Sequence, residues 1–252
     1  MKRRYVEINV GRGCIRGVVN LPDEEKKYPV LIFFHGFTMD RIGLMRLHEL
    51  FVRECVEQGI ACVRFEFYGC GESDGNFNEM TLSTEMEDAR AIWNWTLEQD
   101  FTDCEQVILS GHSMGGLIAH LVAPELQPKG MLLWSPALTM YYQACLRGRL
   151  EGPTERGFDI AGLELSKEFI EEAKHMNFFD MSKGYEKPVC IIWGTEDEVI
   201  PVDCAGRYEV LYGDKCDLTL IEGAPHQYTS LKWKRELYDV SLEFLKRQIQ
   251  RK

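Results

Sequence analysis

The sequence predicts an α/β fold, a doubly wound and mostly parallel sheet, and three observations carry that reading. Continuous apolar runs such as Val30-Leu31-Ile32-Phe33-Phe34 and Val189-Cys190-Ile191-Ile192-Trp193 have the composition of strands buried on both faces. Segments with apolar residues at helical spacing stand between these runs, so strands and helices alternate. Finally, Val107-Ile108-Leu109 leads into Ser110-Gly111-His112-Ser113-Met114-Gly115-Gly116 and then Leu117-Ile118-Ala119, which reads as a strand, a sharp turn and a helix.

Residues 5–9 and 14–21 are expected to pair as a hairpin around Gly11-Arg12-Gly13. Residues 22–27 form a polar turn, and 29–34 form the first fully buried strand. Leu44, Leu47, Phe51, Val52 and Cys55 mark a helix over 44–58, which Gly59 stops. A buried strand over 60–67 runs into the glycine-rich loop 68–75. A dinucleotide fingerprint there would need glycine where Asp74 stands, so the loop reads as a tight turn beside Ser113. Thr81, Ser83 and Thr84 can cap a helix over 81–99, whose apolar stripe is Met86, Ala89, Trp93 and Leu97. After the Ser113 turn comes a strand over 130–134. The alternation breaks over about 137–184, where only a helix at 166–176 is expected. It resumes with a strand at 189–193, a helix at 204–211, a strand at 218–221 and a terminal helix from about 229. The chain thus reads as one domain, 1–252, with an insertion near the strand ends, where such sheets place their sites.

Composition narrows the function classes. A chain of 252 residues with 45% hydrophobic content can bury one large core. A net charge of -11 argues against general affinity for nucleic acid or anionic membrane. No apolar run approaches the roughly 20 residues that span a bilayer, and Tyr5-Val6-Glu7-Ile8-Asn9 interrupts the basic start before a secretory apolar core can form. A cytoplasmic location is therefore expected. The nine cysteines are scattered without a Cys-x-x-Cys pair, which reads as buried free thiols rather than a zinc or redox motif. Neither metal nor organic cofactor is expected. The chain is compatible with a homodimer.

The chemistry centres on Gly-x-Ser-x-Gly. A turn this tight strains its apical residue, and side chains at positions 111 and 115 would collide with neighbouring backbone. The geometry exposes the Ser113 hydroxyl near a helix N-terminus, where amide dipoles favour developing negative charge. An acid is expected at the end of a later strand. Gly194-Thr195-Glu196-Asp197-Glu198 offers three carboxylates, of which Asp197 stands best and Glu196 and Glu198 are reserves. Of six histidines, only His226 lies in a loop after the final strand, which completes the order Ser, Asp, His. Two backbone amides should form an oxyanion site: that of Met114 and, across His35-Gly36-Phe37-Thr38, that of Phe37. His35 and His112 flank the site as loop residues, and His48, His120 and His175 lie on helical patterns.

These segments, together with Arg64-Phe65-Glu66-Phe67-Tyr68-Gly69-Cys70-Gly71-Glu72-Ser73-Asp74-Gly75, Met80-Thr81 and Glu222-Gly223-Ala224-Pro225-His226, resemble the serine esterases of the α/β-hydrolase fold. Within that fold the chain is similar to the cinnamoyl/feruloyl esterases of gut bacteria. The same segments occur less closely in serine aminopeptidase-like hydrolases and acyl-lipid lipases. The resemblance implies hydrolysis of a small-molecule ester, the expected partner, through an acyl-enzyme, and a small lid at 137–184. It also implies a lid acid and a lid tyrosine that hydrogen-bond the phenolic hydroxyls of the substrate. Counting from Ser135-Pro136-Ala137, those positions are Gln143 and Phe169 here, a departure for which Tyr141 and Tyr142 could substitute. Phe158, Phe169, Phe178 and Phe179 could instead pack the lid down. Thioester, peptide or monoacylglycerol cleavage, acyl transfer and non-catalytic ligand binding remain the other readings of the same residues.

Overall fold

In a computed structural model the protein is described over residues 1–22, 26–140, 142 and 152–250. Ten strands are present among these residues: β1 Lys2–Asn9, β2 Cys14–Leu21, β3 Tyr28–Phe34, β4 Ala61–Phe65, β5 Thr102–His112, β6 Gly130–Trp134, β7 Gly157–Ile160, β8 Leu163–Ser166, β9 Val189–Gly194 and β10 Cys216–Ile221. Eight of them build one sheet in the order β1-β2-β4-β3-β5-β6-β9-β10. The β1–β2 hairpin is antiparallel and joins β4 antiparallel, while β4, β3, β5, β6, β9 and β10 run parallel.

Period-two alternation divides the sheet's side chains between two cores. Val30, Ile32 and Phe34 face one side with Leu109, Leu133, Ile191 and Trp193. Leu31 and Phe33 face the other with Ile108, Leu132, Trp134 and Ile192. The first side is covered by the helices Leu82–Leu97, Met114–Leu126 and Ala205–Tyr212. The second is covered by Leu47–Glu57 and Leu231–Gln250. Helices on both faces explain why the central strands carry unbroken apolar runs. The double winding expected from the sequence is therefore observed.

Local chemistry sets the helix ends. The Thr81 hydroxyl accepts from the Thr84 amide, and the Thr84 hydroxyl accepts from the Thr81 amide, so this pair, without Ser83, caps Leu82–Leu97. The helix expected over 44–58 begins only at Leu47, because Met45 and Arg46 adopt positive φ of 48° and 62°. Residues 44–46 form a separate 3-10 turn instead. The loop at 68–75 is tied to β2: Asp74 accepts from the Cys14 amide and pairs with Arg16. The insertion contains the helix Lys167–His175, as expected, and also an antiparallel β7–β8 hairpin that the sequence did not signal. Its Ile160, Leu165, Phe169 and Phe178 are buried in the first core, with Phe158 and Phe179 packed against it. The eight described cysteines are free thiols.

Four buried histidines bear on acid stability. Burial lowers His35 and His120 to about 4 and His112 to about 3, against an ordinary value of 6.5, and holds His48 well below it too. His120 is neutral in the fold: Tyr212 Oη donates to its Nδ1 at 2.7 Å, and its Nε2 donates to the Phe178 carbonyl at 3.3 Å. A depressed folded-state value contributes stability that is present above 6.5 and is lost as pH falls toward 4. Urea unfolding followed between those limits should show a steep loss of stability on acidification. His120→Gln should flatten that dependence, and an unchanged slope would count against the assignment.

Candidate active site

Ser113 stands between β5 and the helix Met114–Leu126, with φ 56° and ψ -119°. That conformation is strained for a residue with a side chain and is tolerated where the surroundings hold it. Here the Ser113 amide donates to the Trp134 carbonyl at 2.9 Å, and its carbonyl accepts from the Leu117 and Ala137 amides at 3.0 Å each. The expected role of the glycines is borne out. A β-carbon on Gly111 would lie 2.2 Å from the Gly115 carbonyl carbon, and one on Gly115 would lie 2.3 Å from the Phe34 oxygen. Gly115→Ala must therefore displace backbone. It should reduce stability by about 3 kcal/mol, judged from the usual cost of overpacking, with urea unfolding as the check; a wild-type midpoint would contradict this packing.

Asp197 and His226 meet at this turn although 29 residues separate them. Parallel pairing of β9 with β10 brings the loops after both strands to the same sheet end. His226 Nδ1 donates to Asp197 Oδ2 at 2.7 Å, and both side chains are almost fully buried. Asp197 Oδ1 accepts from the Val199 and Ile200 amides at 2.9 and 2.7 Å. Burial pushes the carboxyl up, but the His226 hydrogen bond and charge, the Ile200 amide and the Ser135 hydroxyl outweigh it and hold it below its ordinary value. Glu198 instead accepts from the His226 amide at 3.3 Å, and Glu196 is exposed.

His112 does more than flank the site. Its Nε2 donates to the His226 carbonyl at 3.0 Å, which leaves Nδ1 to accept from His48 Nε2 at 3.3 Å. Burial, then the neighbouring His226, keeps the His112 ring neutral. The His226 main chain is thus fastened through its carbonyl as well as its amide.

Ser113 and His226 line one cavity of about 130 Å³, together with Gly36, Phe37, Thr38, Met39, Met140 and Ile200. Gly36 brings the Phe37 loop onto the turn, since a β-carbon there would lie 3.4 Å from Ser113 Cβ. Met114, fully buried, is the first residue of the helix, where amides lack intrahelical acceptors. Of the four expected substrate contacts in 137–184, the two described ones fall elsewhere. Phe169 is fully buried with its ring 5.6 Å from that of Phe37, and Phe37 also packs on Phe77 at 5.4 Å. Tyr142 is 63% exposed, and neither residue lines the cavity. Tyr141 and Gln143 lie outside the described residues. Sequence reasoning missed Met140, Val199, Ile200 and Gln227 as lining residues and Ser135 as a partner of Asp197; only their neighbourhood to known motifs could have pointed to them.

The parallel sheet and this arrangement at its strand ends define an α/β hydrolase. The chain belongs to the family described as "Serine aminopeptidase, S33", whose model matches residues 25–151, half of the 252. Among solved structures it is similar to Est1E from Butyrivibrio proteoclasticus with ferulic acid bound, at a TM-score of 0.84 and 26% identity over 97% of this chain and 99% of that one. It is 26% identical to the human mitochondrial palmitoyl-protein thioesterase ABHD10 over 193 residues, 69% of this chain and 59% of that protein. It is also 32% identical over 96 residues, 38% of this chain, to an uncharacterized 31.7 kDa protein of Escherichia coli. The chain thus spans about a third to three fifths of the length of these two relatives. Among the described residues no helix is long and apolar enough to cross a membrane.

Proposed function

We propose that the protein hydrolyses carboxylic esters through an acyl-enzyme on Ser113, with aromatic cinnamoyl- or feruloyl-type or short acyl groups as substrates. One observation carries the reading: the 2.7 Å Asp197–His226 bond stands at the cavity that Ser113 lines. The bond orients the imidazole so that Nε2 carries no proton and can take one from Ser113 as its oxygen attacks the ester carbonyl. Asp197 stabilises the resulting imidazolium. The Phe37 and Met114 amides stabilise the oxyanion, and one such donor can be worth about 10²–10³ in rate. His226 then protonates the leaving alcohol. Water, activated by the same imidazole, releases the acid and regenerates Ser113. These roles need neither metal nor organic cofactor.

The substrate class is favoured by the full-length likeness to Est1E with ferulic acid bound. Cavity size points the same way. About 130 Å³ suits a small acyl group, since pockets for drug-sized ligands span about 300–1,000 Å³. Thioester cleavage is the second reading, favoured by the likeness to a palmitoyl-protein thioesterase. A fluorophosphonate should modify Ser113, and absence of labelling would favour a non-catalytic scaffold. A panel of methyl ferulate, p-nitrophenyl butyrate, a medium-chain glyceride and palmitoyl thioester should be cleaved fastest at one of the first two. Preference for the glyceride or the thioester would overturn the substrate class without touching the nucleophile. Added alcohol yielding a new ester would indicate acyl transfer. We further propose that 137–184 is a lid within a single domain, anchored by Phe169 on Phe37.

A further inference from the structure

We infer that a second concavity, separate from the Ser113 cavity, binds a phosphate group, either free or at the end of a small monoester. It has a volume of about 150 Å³ and lies where β1, β2 and β4 meet the loop that follows Thr38 and the start of the helix Leu47–Glu57. Among the described residues its lining includes Arg3, Arg41, Arg46 and Arg64 and one acid, Glu49.

Charge within the site does not balance. Arg64 and Arg53 reach Glu49 at 2.6 and 3.0 Å, Arg46 stands at 3.9 Å, and Arg3 also bonds it. Among the described residues none of these four arginines pairs with another carboxylate. Arg53 does not line the concavity, and the three lining guanidinium groups that share Glu49, those of Arg3, Arg46 and Arg64, leave two positive charges over. Arg41, the fourth lining arginine, pairs with both Glu66 and Glu72, which offsets one of these charges and leaves a net excess of one. Buried Arg64 is 2% exposed, donates to Asn20, Glu49 and the Arg41 carbonyl, and keeps its Nε without a partner. An unsatisfied buried donor is costly, and the planar guanidinium fork matches phosphate oxygens.

The excess does not extend to the adjacent groove. The chain as a whole carries -11. The adjacent groove along β1 sets Arg16 and Arg41 against Glu7 and Glu72, an even balance. The size of the concavity admits a phosphate, while Tyr5 and Ile42, 74% and 41% exposed, offer an apolar rim for the organic part of a monoester.

The test is titration calorimetry of the full-length chain with inorganic phosphate and with phenyl phosphate. Sodium chloride at matched ionic strength controls for screening. One saturable site is expected. Arg46→Gln, at a 53% exposed position on no strand, should weaken binding roughly tenfold, as does loss of a charge-assisted hydrogen bond. Arg16→Gln in the balanced groove should leave it unchanged, and circular dichroism should show each variant folded. Tighter binding of phenyl phosphate would assign a monoester, and equal binding would assign free phosphate. No saturable binding at millimolar concentrations, or equal binding by wild type and Arg46→Gln, would overturn the inference.

Discussion

Ser113→Ala is expected to lower turnover of methyl ferulate or an aryl acetate by about 10⁴–10⁶, as loss of the nucleophile does in other Ser-His-Asp hydrolases. The substitution removes only Oγ. Alanine keeps the β-carbon at φ 56°, and the hydrogen bonds that hold the turn come from the main chain and are untouched. The variant should therefore fold with a normal urea midpoint, which separates loss of chemistry from loss of structure. Residual hydrolysis should come from the amides of Phe37 and Met114, which would still stabilise an oxyanion formed by direct attack of water. Covalent labelling by a fluorophosphonate should disappear in the same variant. Turnover within tenfold of wild type would sink the assignment of Ser113.

Asp197→Asn should cost about 10⁴ in turnover at neutral pH, comparable to the same change in other triads, although the two side chains are nearly isosteric. The reason lies in how Asp197 is held. Its Oδ1 accepts two backbone amides, Val199 and Ile200, so the amide oxygen of asparagine must take that position. The asparagine nitrogen then faces His226 Nδ1, which lies 2.7 Å from the present Oδ2, and it can only donate. His226 is forced to carry its proton on Nε2, the tautomer that cannot accept from Ser113. The diagnostic readout is parallel loss in kcat and in the rate of fluorophosphonate labelling, since both need an imidazole that can accept the Ser113 proton. A fall of less than tenfold would mean that Asp197 orients nothing.

The two variants probe different links of the same chain. Ser113 owes its position to a local clash: Gly111 and Gly115 carry no side chain because β-carbons would strike the backbone. Asp197 owes its effect to two amides two and three residues onward and to an imidazole 29 residues away. His112 links both, since it precedes Ser113 and donates to the His226 carbonyl. Sequence position alone suggested a structural loop residue there. The hydrogen-bond chain from His48 through His112 gives that residue a share in holding the His226 main chain.

The sequence by itself determined the strand–helix alternation, the turn at Ser113 and the loops that bring a carboxylate and His226 together, while the structure selected Asp197 over Glu196 and Glu198. These are legible because their causes are local or ordinal. Side-chain period, glycine sterics and the order of strand ends follow from neighbours along the chain. Only the tertiary structure decided what surrounds Ser113. Phe169, aligned as a substrate contact, is spent on packing against Phe37, while Met140, Val199 and Ile200 face the cavity. The β7–β8 hairpin escaped notice because its four-residue strands are too short to show a period and are held by burial against the first core. The basic concavity was equally invisible. Its arginines are scattered from position 3 to 64 in an acidic chain, and only the meeting of β1, β4 and the Leu47–Glu57 helix gathers them around one carboxylate. Such convergence depends on contacts between residues far apart in sequence, which no local pattern records.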